Sequence, residues 1–208
     1  MTERGLLFVV AAPSGAGKTS LCKALLERIK KDGDKGLHWS VSYTTRKPRQ
    51  GEVNGRDYFF VDDEAFDRMA AGNEFAEWAH VHDRRYGTSK SYLEESALQG
   101  IDLLLEIDVQ GARNLREKYQ EACFIFILPP SWQVLEERLR GRGTEAVEEV
   151  VRRLQRAKEE ILEYRRFDYI IINDDFAKAV DCLRAIVVGK RSEKKAMESA
   201  AGEILRGF

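Results

Sequence analysis

The sequence predicts an α/β protein with a central parallel sheet covered by helices on both faces. Three observations carry that expectation. Four short apolar runs, "LLFVVA" (6–11), "IDLLLEID" (101–108), "CFIFIL" (123–128) and "YIIIND" (169–174), lack the alternation of half-exposed strands. Continuous runs of branched residues suit strands buried on both faces. Helical patterns lie between the runs, and strands alternating with helices build parallel sheets. A glycine-rich loop joins the first run to the first helical pattern.

The run at 6–11 follows Arg4 and leads into that loop, so it reads as a buried first strand rather than a secretory leader. Leu21, Leu25, Leu26 and Ile29 place a helix over 18–31. The stretch 38–95 breaks the rhythm. Its strand-like pieces "SVSYTT", "DYFFVD" and "EFAEWAHV" are separated by turn signals at "RQGEVNG" and "DRRYG", which predicts a small inserted unit. Later, Val147, Val150, Val151, Leu154, Ile161 and Leu162 predict a helix within 145–165. Residues 176–207 read as one or two amphipathic helices broken near Gly189, and the basic "GKRSEKK" reads as a solvated helix end. The expected division is one domain over 1–208, with a core of 1–37 and 96–208 and an insertion at 38–95.

Composition excludes several classes. A chain of 208 residues is long enough to bury a substantial core. Its 34 basic side chains face 35 acidic ones, which argues against a generic nucleic-acid binder. No apolar run reaches the length of a membrane span. Cys22, Cys123 and Cys182 form no CxxC pair, which fits a reducing compartment, so a cytoplasmic protein is expected. His38, His80 and His82 form no metal or catalytic constellation, and Trp39, Trp78 and Trp132 read as packing groups.

The loop "APSGAGKTS" approaches the G-x-x-x-x-G-K-[ST] pattern, in which backbone N–H groups ring phosphates and the lysine reaches the terminal ones. Gly17, Lys18 and Thr19 match, while Ala12 takes the first glycine position. Alanine suits that position only if the backbone there has negative φ. Ala12, Pro13, Ser14, Gly15, Ala16, Gly17, Lys18 and Thr19 are thus the candidate nucleotide phosphate site, with Thr19 touching the accompanying Mg²⁺. A purely structural glycine turn is the alternative, and the strand–loop–helix setting argues against it. The insertion supplies a second cationic cluster, Arg46, Lys47 and Arg49, where two arginines three apart would grip another phosphate. Taken alone, such a cluster is more often a solvated turn.

The blocks "SVSYTTRKPRQGEVNGRDYFFV", "EFAEWAHVHDRRYGTS", "EIDVQG", "ILPPS", "RLRGRGTE" and "INDD" stand in the order and spacing of guanylate kinases. Over about residues 5–190 the chain resembles a bacterial-type guanylate kinase. The resemblance implies a P-loop fold in which Mg²⁺-assisted transfer of the γ-phosphoryl of ATP to GMP takes place, and it leaves the oligomeric state open. By it, Ser42, Arg46, Arg49, Tyr58 and Tyr86 would surround the GMP phosphate and the neighbouring base edge, and Glu77, Thr88 and Asp108 would complete guanine recognition. Guanine offers N1–H and N2–H to a carboxylate and O6 to a hydroxyl; adenine would leave both groups unpaired.

Glu106 stands where the family pattern has Asp, and it is expected on the same face as Asp108. A lid over 138–153 would bring Arg138, Arg142 and Arg153 to the transferring group alongside Lys18 and Arg49, and Asn173 would lie near the adenine. A catalytically dead binding module is the rival reading; Lys18, Thr19 and the lid arginines argue against it. A kinase for another monophosphate is the second, and Glu77 with Thr88 argue against that one.

Overall fold

The structure is a computed structural model that describes residues 4–33, 36–81, 83–140 and 147–206. In chain order its strands are β1 (Leu7–Ala11), β2 (Leu37–Trp39), β3 (Tyr43–Thr44), β4 (Phe59–Phe60), β5 (Phe75–Val81), β6 (Arg84–Ser89), β7 (Asp102–Glu106), β8 (Cys123–Leu128) and β9 (Tyr169–Ile172). Its helices are α1 (Lys18–Lys31), α2 (Asp63–Ala71), α3 (Lys90–Leu98), α4 (Val109–Lys118), α5 (Trp132–Arg140), α6 (Val147–Leu162), α7 (Phe176–Arg191) and α8 (Lys194–Leu205).

Five strands form a parallel sheet in the order β2-β7-β1-β8-β9. Successive residues of β1 serve opposite layers, as a pleated strand requires. Phe8 and Val10 pack with Leu21, Cys22 and Leu25 of α1 and with Leu183 and Val187 of α7. Val9 and Ala11 pack with Leu93 of α3 and with Val109, Ala112 and Leu115 of α4. The helices that follow β1 and β7 therefore cover opposite faces. That divergence leaves a crevice beyond the carboxyl ends of the two strands, where open α/β sheets bind ligands.

The second sheet runs β4-β3-β6-β5 and mixes one parallel pair, β3 with β4, with antiparallel pairs. Aromatic rings fill its small core: Tyr43 stacks on Phe59 at 4.8 Å and Phe66 meets Phe75 at 4.6 Å. Gly87 lets Phe75 lie flat across β6, since a Cβ there would sit 2.8 Å from the Phe75 ring.

Four expectations change. Leu37–Trp39 pair with β7, so His38 and Trp39 lie in the core sheet although the sequence division at residue 38 gives them to the insertion. The "DRRYG" segment is strand rather than turn from Arg84 onward, because its pairing with β5 satisfies its backbone. At the other end, α7 runs through Gly189 to Arg191 and the chain turns at Ser192 and Glu193. A helical glycine costs only about 1 kcal/mol against alanine, which the packed face of α7 outweighs. The "GKRSEKK" stretch is also more than a solvated end: Arg191 Nε donates to Asp102 at 2.6 Å, and Asp102 accepts the Leu6 N–H at 2.7 Å.

Candidate active site

The phosphate loop spans the gap between β1 and α1. Gly15 and Gly17 have φ of +89° and +91°, which L side chains rarely adopt, whereas Ala12 has no positive φ and is buried in the core. Alanine at the first motif position is therefore unstrained. Helix α1 begins after Gly17 with no side-chain cap and no acidic residue in its first turn. By contrast, Asp62, Ser89, Asp108 and Asp175 cap α2, α3, α4 and α7. An uncapped helix start offers its N–H groups and positive dipole end to an anion.

Lys18 and Thr19 reach from this helix to the end of β7. The Lys18 ammonium donates to the Ile107 carbonyl and lies 3.9 Å from Glu106 Oε1. Thr19 Oγ1 donates to the same Glu106 oxygen at 2.5 Å. Glu106 thus belongs to the phosphate side of the crevice. Asp108, two residues on, caps α4 by accepting from Gln110 N at 2.8 Å and Gly111 N at 3.1 Å. Sequence reasoning gave Asp108 to the base alone; its local capping role explains equally why a carboxylate follows the strand.

Across the crevice, β5 and β6 set Glu77 opposite Thr88. Thr88 is fully buried and Glu77 is 5% exposed. Thr88 Oγ1 donates to Glu77 Oε1 at 2.6 Å. Burial pushes the Glu77 carboxyl up to about 7, with Asp108 adding to the rise and Thr88 and Lys118 opposing it. Gly111 allows the close approach, because a Cβ there would lie 2.7 Å from Glu77 Oε2. The one proton of Thr88 goes to Glu77 here, so donating it to a base oxygen requires the hydroxyl to turn.

The cationic turn is organised by a residue that sequence reasoning passed over. Glu52 accepts from Arg46 Nη2 at 2.7 Å and from the Arg49 backbone N–H at 2.7 Å. Arg46 also lies over the rings of Tyr58 and Phe60, at 5.3 and 5.7 Å. Tyr58 meets Tyr86 edge-on at 5.8 Å. Burial and the nearby Glu106 raise the Tyr58 hydroxyl, so it stays a neutral donor. Ser42 is buried beside β3, and Arg49 is exposed.

Two of the three lid arginines can be placed. Arg153, 8% exposed, donates from Nη2 to Ser14 Oγ at 2.6 Å. Arg138 Nη2 donates to the Asn173 carbonyl at 3.2 Å, and Arg138 Nη1 is a buried donor without a hydrogen-bond partner among the described residues. Arg142 lies outside the described residues, as does 141–146 of the 138–153 segment. Asn173, expected near the adenine, is buried against the phosphate loop. Its Nδ2 donates to the Ala16 carbonyl at 2.8 Å, so its amide braces the phosphate loop. Sequence reasoning also missed Glu160 of α6, whose Oε2 accepts the Ser14 N–H at 3.3 Å.

An uncapped, glycine-rich phosphate loop facing a cationic turn and a buried carboxylate–hydroxyl pair defines a P-loop kinase with a phosphorylated acceptor. The guanylate kinase family pattern matches residues 4–190. The chain is 49% identical to the guanylate kinase of Geobacter metallireducens over 92% of each chain, and 46% identical to that of Geobacter sulfurreducens over 98% of each. The crystal structure of guanylate kinase from Anaplasma phagocytophilum superposes with a TM-score of 0.76 at 33% identity, covering 93% of this chain and 90% of that one. The chain belongs to the guanylate kinase family.

Proposed function

We propose that the two sides of the crevice divide the family's reaction between them. As a member of that family, the chain transfers the γ-phosphoryl group of ATP to GMP, giving ADP and GDP. The loop 12–19 and the start of α1 take the ATP phosphates, with Lys18 at the terminal ones. The observation that carries this reading is the uncapped start of α1, held by Asn173 and met by Arg153 at Ser14.

Arg46, Arg49, Tyr58, Tyr86 and Ser42 take the acceptor phosphate, with Glu52 orienting the two arginines. Glu77 accepts the two guanine donors, Thr88 turns to O6, and Asp108 fixes the chain beneath Glu77. Phosphoryl transfer asks little of protein acid–base groups, so rate comes from alignment and from cations on the transferring oxygens. Lys18, Arg138 and Arg153 supply that charge, and the lid excludes water.

The oxygen donors Thr19 Oγ1 and Glu106 Oε1, side by side, fit Mg²⁺, which keeps several waters and binds largely through substrate phosphates. Among the described residues no group of three or more His, Cys, Asp or Glu side chains forms a cage for a metal by itself. When bound, the ion would neutralise charge on the donor phosphates. Thr19 and Glu106 would hold it. No described helix is long and apolar enough to cross a membrane, and the three cysteines are free thiols. Free thiols suit the cytoplasm, where we place the reaction.

Lys18→Met tests the division of labour. The expected result is a fall in kcat of about 10² or more with the GMP KM little changed. A variant that loses GMP affinity instead would contradict it.

A further inference from the structure

Helix α6 touches the phosphate loop twice at one residue. Arg153 and Glu160 stand seven positions apart, two helical turns, and so share a face. Arg153 donates to Ser14 Oγ at 2.6 Å, while Glu160 Oε2 accepts the Ser14 N–H at 3.3 Å. The first contact brings a cation to the loop. The second puts a carboxylate on one of the N–H groups of a loop built for anions.

Glu160 is half-buried, and burial raises its carboxyl, with Asp108 adding to the rise and the Ser14 N–H, Arg156 and Lys18 opposing it. A desolvated carboxylate in this position is poorly placed unless it has a donor, and Ser14 N–H is that donor. An arriving polyphosphate brings negative charge to the same loop. It would favour Arg153 and repel Glu160.

We propose that Glu160 is a positioning residue that holds α6 on the nucleotide-free loop by standing in for a phosphate, and that ATP binding displaces it while Arg153 stays. The Ser14–Glu160 bond is then a latch between the loop and the helix that returns from the lid. Its cost appears as weakened ATP binding, and its benefit is a loop kept ordered and Arg153 kept near it before ATP arrives. Asp108, the α4 cap, is the acceptor-side group near Glu160, and it keeps its place in this exchange, so GMP binding should change little.

The inference rests on the loop binding ATP phosphates, and the test separates the two. Equilibrium binding of a non-hydrolysable β,γ-imido ATP analogue and of GMP would be measured for the wild type and Glu160→Gln. The variant keeps the size and removes the charge. The expected result is analogue affinity tightened about fivefold or more, the scale of one net hydrogen bond, with GMP affinity little changed. Unchanged or weakened analogue binding overturns the latch. Wild-type protein that binds no analogue would instead overturn the phosphate-loop reading.

A measurement on the wild type alone covers a variant that fails to fold. With ¹³C-carboxyl-labelled glutamate, the Glu160 signal should move on adding the analogue and stay in place on adding GMP. A signal indifferent to the analogue overturns the proposal.

Discussion

Thr88 Oγ1 donates to Glu77 Oε1 at 2.6 Å across the β5–β6 pair, in a pocket where Glu77 is 5% exposed and Thr88 is fully buried. In the proposed reading this pair joins base recognition to pH. Guanine presents two donors, so it needs the ionised carboxylate, and burial pushes that ionisation up to about 7. Below that pH the carboxyl carries its own proton and meets the guanine N1–H with a donor.

The GMP KM should therefore rise as pH falls through about 7, approaching tenfold per unit on the acid side. Steady-state KM for GMP between pH 5.5 and 8.5 checks this, at about half-unit steps. A flat profile would contradict the burial argument, and Glu77→Gln should give a flat profile at much weaker affinity.

The same shift makes Glu77 a liability for stability. Its folded carboxyl titrates near 7, above the ordinary 4.5, so the folded state binds more protons than the unfolded state between those values. Its contribution is fully present below 4.5 and is lost as pH rises toward 7. The loss is on the order of 3 kcal/mol. Denaturant melts of the ligand-free protein should find Glu77→Gln gaining on the wild type across that window and level above it. A stability difference independent of pH would count against the assignment.

In the phosphate loop, Ala12 and Gly17 should respond oppositely to exchange. Ala12 sits without positive φ and its methyl is buried in the core, so Ala12→Gly should loosen the unfolded chain and remove a packed methyl, lowering stability by about 1–2 kcal/mol with the ATP KM unchanged. Gly17 has φ of +91°, and a Cβ there would lie 2.7 Å from Asn173 Nδ2. Gly17→Ala should cost about 1–3 kcal/mol and raise the ATP KM sharply. Melts and initial rates on the two variants distinguish them.

Glu106→Gln keeps the Thr19 contact possible but removes the charge beside it. The Mg²⁺ concentration giving half-maximal rate should rise about tenfold, the usual scale for a lost supporting carboxylate, while the GMP KM holds. An unchanged Mg²⁺ dependence would remove Glu106 from the metal side.

Much of this site was legible in the sequence because its signals are local. A buried strand, "APSGAGKTS" and an amphipathic helix specify the phosphate loop within a short stretch. Glu77 with Thr88 was reached through the family resemblance and the chemistry of guanine. What escaped depends on distant pairing. β2 is three residues whose only distinction is lying beside β7, and β6, "RRYGTS", is polar because it pairs in a small sheet. Glu160 reads as one more charge on an amphipathic helix, and nothing in its spacing points to Ser14. Asp108 carried a legible capping signal, an acid just before a helix, which the site reading overshadowed.

The central claim is that the Glu77 side of the crevice selects guanine for phosphoryl transfer. The most direct measurement is coupled ADP release with Mg-ATP and each of GMP, AMP, CMP, UMP and dTMP, on the wild type and Glu77→Gln. The account expects wild-type turnover with GMP alone among these acceptors, and its loss with the substitution. Comparable turnover with AMP, or GMP turnover that survives Glu77→Gln intact, would contradict it.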